Sequence, residues 1–211
     1  WPMKFDLTRW NKAYFDRLKD FVDYAASIDV VVNVFFDDLI DQAYFDVNAF
    51  NPMNNINGTE NSGPIDYFTM DGHPVMTAYH DSMIAKIVRE LNYADNVIYF
   101  ICDETGEAGI GRDAVYYKKV YDWLSQTIDV IKNTEKSLPK KHPVASQQQL
   151  CAYPLDFSGD SRTDFDVYQY TWMAFNQESG GLRALDYEYH HNKPLDMNET
   201  KNIRKDMTGM M

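Results

Sequence analysis

The run Asn96-Val97-Ile98-Tyr99-Phe100-Ile101-Cys102 is apolar, of strand length, and stops abruptly at Asp103-Glu104-Thr105. A helical apolar pattern over residues 80–91 precedes it, and a glycine-containing loop, Gly106 to Gly111, follows. Helix, buried strand and loop in that order form the unit of a parallel α/β sheet, whose functional groups stand just past the strand C-termini. Alternation puts Phe100, Cys102 and Glu104 on one face and Val97, Tyr99, Ile101 and Asp103 on the other. If Phe100 faces a barrel interior, Glu104 stands at its mouth. The plainer alternative is an exposed acidic turn after a core strand.

Other segments carry the same alternation of elements. Tyr14, Phe15, Leu18, Phe21, Val22 and Ala25 recur at helical spacing, with Asn11 or Thr8 as the cap. Ser27-Ile28-Asp29 connects that helix to Val30-Val31-Val32-Asn33-Val34-Phe35-Phe36, a continuous β-branched and aromatic run that reads as a strand buried on both faces. Asp37 and Asp38 close it and are read as solvated strand-end acids, with substrate contact as the sharper alternative. Residues 39–74 lack periodicity and are rich in Asn, Asp, Gly and Pro, so they read as one long loop, of the kind that is often functional. A helix over 113–136 carries Tyr117, Val120, Tyr121, Leu124, Ile128 and Ile131 on one stripe. Shorter strands are expected at 144–148, 164–172 and 193–200. His80 and His142 are read as surface residues. His190-His191 point opposite ways if they lie on a strand, which disfavours a metal site.

Charge and cysteine usage narrow the function. A net charge of −12 argues against nucleic acid and against an anionic membrane surface. The apolar runs are strand-sized, so no membrane span is expected. No basic-then-apolar leader opens the chain at Trp1-Pro2-Met3-Lys4, and the missing initiator Met suggests a processed or truncated chain. Cys102 and Cys151 make no disulfide framework, and Cys102 reads as a buried thiol. Asn57-Gly58-Thr59 and Asn198-Glu199-Thr200 match the glycosylation acceptor pattern weakly. There is no GxGxxG after a strand, no P-loop, no CxxC and no nucleophilic Ser motif. Aromatic residues make up 15% of the chain, which suits sugar stacking and core packing alike.

Several stretches together resemble a known family. Phe5-Asp6-Leu7-Thr8-Arg9-Trp10-Asn11 with Tyr14 to Phe21, the strand over 30–36, Asn54-Asn55-Ile56-Asn57-Gly58, the strand ending in Asp103-Glu104-Thr105, and Lys193-Pro194-Leu195-Asp196-Met197-Asn198-Glu199-Thr200 are similar to cellulase-like retaining glycoside hydrolases of the two-glutamate (β/α)8-barrel clan. The family strand usually ends Asn-Glu-Pro, where this chain has Asp103-Glu104-Thr105. The resemblance implies an α/β fold and a (β/α)8 TIM barrel that is incomplete, with strands one, two and eight not visible. Residues 1–211 are then one catalytic barrel domain or a fragment of one, completed by further segments of a longer chain. It implies a carbohydrate substrate, polysaccharide or oligosaccharide, cleaved by double displacement with no cofactor and no metal. Glu104 would be the general acid/base and Glu199 the nucleophile; one must be protonated while the other is ionised. Asp103, Asn54, Asn55, Tyr170 and Trp172 would contact sugar. A secreted or periplasmic location is implied as well. The alternatives are a non-catalytic carbohydrate-binding relative, motivated by Asp103, and a module completed by a partner.

Overall fold

The structure is a computed structural model that describes residues 4–37, 42–69, 72–103, 113–149, 159–169 and 192–198. Helix α1 (Lys12–Ser27) leads to strand β1 (Val32–Phe35); α2 (Gln42–Val47), α3 (Pro64–Tyr67) and α4 (Pro74–Leu91) then lead to β2 (Val97–Phe100). Helix α5 (Ala114–Glu135) leads to β3 (Val144–Gln149), and β4 (Phe165–Gln169) and β5 (Leu195–Asn198) complete the described elements. The five strands form one sheet in the order β1-β2-β3-β4-β5, and every pairing is parallel. Each strand therefore pairs with its successor, and the order never reverses as it does in doubly wound folds. The α/β class and the parallel sheet expected from the sequence are both present.

The sheet has two unlike faces. Val97, Tyr99 and Ile101 join the main buried cluster with Ile84, Val88 and Leu91 of α4 and Val120, Leu124 and Ile128 of α5. Phe100 lies on the opposite face with Ala145 and Val167, and Ile98 and Phe165 pack around them. The strand alternation read from the sequence therefore holds for Phe100 against Tyr99 and Ile101. Cys102 is a buried free thiol, as expected, but it packs in the main cluster with Ile101 and not on the Phe100 face where alternation put it, because β2 ends at Phe100 and the strand alternation does not carry on to Cys102.

Local sequence explains the element ends. Asn11 caps α1, its side chain accepting from the Tyr14 N–H at 3.3 Å. Asp29 closes α1 in the left-handed region at φ 57°. The Asp29 and Val30 N–H groups return to the Ala26 and Ala25 carbonyls at 3.2 and 2.9 Å, the bond pattern of a Schellman end. Asp113 caps α5, accepting from the Tyr116 N–H at 2.9 Å. Pro74 opens α4, where its missing N–H costs nothing, so this helix begins six residues before the expected start at His80.

Four expectations are corrected. Val30 to Phe36, read as a strand buried on both faces, is strand only over Val32–Phe35, and Val30, Val31, Asn33 and Phe35 are exposed, because among the described strands β1 pairs only with β2 at the edge of the sheet. Tyr14 and Phe21, expected on the core stripe of α1, are 47% and 59% exposed, and Phe15, Val22 and Ala25 alone are fully buried. Apolar residues on α1 span more than one helical face, and only one face can meet β1 and α4. The stretch expected as a loop over 39–74 contains α2 and α3 and is tied together by side-chain amides. Asn51 Nδ2 donates to the Phe45 carbonyl at 3.1 Å, and Thr59 Oγ1 to that of Phe50 at 2.7 Å. Finally, His80 and His142 are buried, not superficial, because each faces a buried carboxylate.

Within that stretch the acceptor pattern at Asn57 is occupied by the fold. Asn57 Oδ1 accepts from the Leu7 N–H at 2.8 Å, its Nδ2 donates to the Tyr79 hydroxyl at 3.3 Å, and Thr59 is buried. Among the described residues no helix is long and apolar enough to cross a membrane.

Candidate active site at the C-terminal edge of the sheet

In a parallel sheet every strand delivers its C-terminus to the same edge. At β1 the residue delivered is Asp37. It is 6% exposed, which corrects the reading of a solvated acid. A carboxylate so buried is costly unless donors surround it. Tyr67 Oη donates to Asp37 Oδ1 at 2.9 Å, and His80 Nε2 stands 2.8 Å from Oδ2. The carboxylate is an acceptor only, so Nε2 carries the proton in this bond.

Each partner comes from a different element. Tyr67 ends α3 and is fully buried; burial first, then the Asp37 carboxylate and Cys102, push its phenol well above the usual range, so it remains a donor. His80 lies on the inner face of α4, four residues before Ile84. Its ring stacks on Trp123 of α5 with centroids 4.5 Å apart and planes at 30°. Phe50 packs against both Tyr67 and His80 at centroid distances of 5.9 and 6.0 Å. On the far side of the imidazole, Asp81 Oδ1 stands 4.0 Å from Nδ1, beyond hydrogen-bond reach. Asp81 Oδ2 accepts from Gln126 Nε2 at 3.0 Å.

The main chain of Asp37 joins this cluster to β2. Its carbonyl accepts from the Asp103 N–H at 2.9 Å, extending the β1–β2 ladder past the end of both strands. Asp103 is half-buried at this edge. Beside α3, a cleft of about 260 Å³ lies against the N-terminus of α5, lined by Ile65, Asp66, Thr69, Asp113, Tyr116 and Lys119. Burial opposes the charge on Asp66, but hydrogen bonds from His73 and Ser62 outweigh it and hold its carboxyl below the usual range.

The sequence-derived site residues divide into two groups. Asp103 is at the strand edge, bonded to Asp37. Asn54 and Asn55 are in the described part too, but their amides are used within the loop. Asn54 Nδ2 donates to the Asp46 and Asn48 carbonyls at 2.7 and 2.9 Å. Asn55 is buried and donates to Ala49 O, Asn51 O and Thr59 Oγ1. Glu104, Glu199, Tyr170 and Trp172 lie outside the described residues, as do Asp38, Gly106 to Gly111, Cys151, His190 and His191. Tyr67 and His80 were missed as the partners of Asp37, and Trp123 as the ring that packs against both. One signal was available: His80 falls in register with Met76 and Ile84, at the i, i+4 spacing of the buried stripe of α4. Among the described residues no three His, Cys, Asp or Glu side chains are grouped to hold a metal ion.

The chain belongs to the family described as a domain of unknown function, DUF6298, whose model matches residues 3–112. No curated protein and no solved structure matches it.

Proposed function

We propose that the chain is a retaining glycoside hydrolase of (β/α)-barrel type acting on a polysaccharide or oligosaccharide. The supporting observation is the sequential all-parallel sheet whose C-terminal edge is acidic, with Asp37 and Asp103 bonded there. Glu104 follows Asp103 in sequence, and Glu199 follows Asn198, the last residue of β5. Under this reading Glu104 protonates the leaving oxygen and Glu199 attacks the anomeric carbon. Water then releases the sugar, with Glu104 acting as base. The carboxylate of Asp103 accepts a hydrogen bond from a sugar hydroxyl but cannot donate one.

The reading makes a geometric demand. β2 and β5 are three strands apart, so a flat sheet would hold their ends roughly 14 Å from each other. A retaining pair needs about 5–5.5 Å between carboxyl groups. The sheet must therefore curl around the face carrying Phe100, Ala145 and Val167, as a closed barrel does.

The test is hydrolysis of a panel of aryl β-glycosides and polysaccharides by the full chain and by Glu104→Gln and Glu199→Gln. The expected outcome is turnover with retained anomeric configuration, lost in Glu199→Gln. Equal turnover by wild type and Glu199→Gln would rule the assignment out. Sugar binding by calorimetry without turnover would favour the non-catalytic reading that Asp103 motivates.

A further inference from the structure

We infer that Tyr67, Asp37 and His80 form a positioning network that fixes the exit of β2 at Asp103 for the hydrolysis proposed above, an inference that rests on that reading. The ladder between β1 and β2 pairs Val32 with Val97 through Phe35 with Phe100. Beyond the strands, the Phe36 N–H reaches the Phe100 carbonyl at 3.3 Å and the Asp103 N–H reaches the Asp37 carbonyl at 2.9 Å. The path of the chain at Asp103 is therefore set by where the main chain of Asp37 lies.

That main chain is held through its own side chain. Aspartate has one methylene between backbone and carboxylate, so clamping both carboxylate oxygens leaves the Asp37 carbonyl little freedom. Tyr67 Oη and His80 Nε2 clamp one oxygen each, from two different elements. Neither donor has slack, since Tyr67 is fully buried against Phe68 and Trp123 and His80 is stacked on Trp123. An apolar residue at position 37 would fill the same space at less desolvation cost. What the buried acid adds is direction, which functional groups at a strand end require.

Two measurements on the full chain test this, with Tyr67→Phe and His80→Gln as network variants and His142→Gln, at the other end of the sheet, as control. The first is amide hydrogen exchange at Asp103. The second is kcat and KM on aryl β-glycosides with good and poor leaving groups. Both network variants are expected to exchange the Asp103 amide faster. They should also lose about 10-fold or more in kcat on poor leaving groups, as misplacement of a catalytic group does, with less loss on good ones and KM unchanged. His142→Gln should change neither readout. Unchanged Asp103 exchange in both network variants, or an equal change in His142→Gln, would overturn the inference, as would kinetic losses independent of the leaving group. Absent turnover by the wild type instead overturns the hydrolase reading, and the exchange measurement then decides alone whether the network fixes β2.

Discussion

Two buried histidine–carboxylate pairs stand at opposite ends of one sheet, and they are finished to different degrees. At the N-terminal end, Glu135 Oε1 receives His142 Nδ1 at 2.6 Å and Asn92 Nδ2 at 3.1 Å, and Oε2 receives the His142 main-chain N–H at 2.9 Å. His142 Nε2 meets the Ala94 carbonyl at 2.8 Å. Both ring nitrogens face acceptors, an arrangement that favours the doubly protonated form and raises the pKa of the ring. At the C-terminal end Asp37 has two side-chain donors, and the outer nitrogen of His80 faces Asp81 only at 4.0 Å. The first arrangement is a closed lock between the end of α5, the start of β3 and the turn after α4. The second holds a strand exit in place and leaves its outer side unpaired with Asp81. A fold with chemistry at one edge has reason to differ in this way, because the functional edge needs aim and the other needs only stability.

The largest effect should follow from opening the closed lock. Glu135→Ala takes the acceptor from the His142 Nδ1–H, from the His142 main-chain N–H and from one N–H of the Asn92 amide, which keeps only the Lys140 carbonyl at 3.0 Å, and breaking a buried ion pair from one side costs about 3–5 kcal/mol. Urea denaturation followed by far-UV circular dichroism reads this as a fall in the midpoint at constant slope. A cost below about 1 kcal/mol, the range of exposed pairs, would show that the N-terminal pair is not the stronger one.

Tyr67→Phe should come next. It removes one donor from the buried Asp37 carboxylate and preserves the packed ring, at a cost of about 1–3 kcal/mol. The same denaturation series places it below Glu135→Ala. A reversed order would mean that the C-terminal end, not the N-terminal one, holds the fold together.

What the sequence disclosed follows the range of the interactions. β1, β2, α1 and α5 were legible because an apolar run and a helical stripe are local patterns. Asp37 and His80 were not, because an acid after a strand looks solvated, and its partner on α4 lies 43 positions away. Glu135 and His142 are only seven apart, yet a stretch containing Lys136, Lys140 and Lys141 disguises them as part of a charged turn. The asparagine-rich stretch gave no periodicity, since its order comes from side-chain amides bonding to carbonyls, as Asn54 and Asn55 do. Tyr14 and Phe21 were misread because burial depends on which face of α1 meets β1 and α4. At the candidate site the sequence marked Asp103 by its strand-end position but held no local sign of its link to Asp37.

A smaller effect should appear with pH. Burial works against the charge on His142, but the bond to Glu135, the Ala94 carbonyl and the Glu135 charge outweigh it and raise the pKa above 6.5. The folded chain therefore holds this proton more tightly than the unfolded chain. Its contribution is fully present below 6.5 and is lost as pH rises from there through the raised folded value. Deprotonation keeps the Nδ1–Glu135 hydrogen bond and forfeits the Ala94 contact and the attraction between the two charges, so the loss is smaller than in Glu135→Ala, which removes that bond as well. Midpoints measured across this window should fall in the wild type and stay flatter in His142→Gln. A rise instead would contradict the sign.

The smallest effect is expected at Asp81, and it sharpens the comparison most directly. Asp81 Oδ1 is 4.0 Å from His80 Nδ1, so the replacement Asp81→Asn breaks no hydrogen bond to the imidazole. The amide oxygen of an asparagine still accepts from Gln126 Nε2, the hydrogen bond that ties the Asp81 carboxylate to α5. A change within about 0.5 kcal/mol is expected, as for substitutions away from buried networks. A loss matching that of Tyr67→Phe would mean that His80 is clamped from both sides, as His142 is. The two ends of the sheet would then be equally closed, and the unfinished side of the C-terminal cluster would no longer distinguish the edge at which the chemistry is proposed.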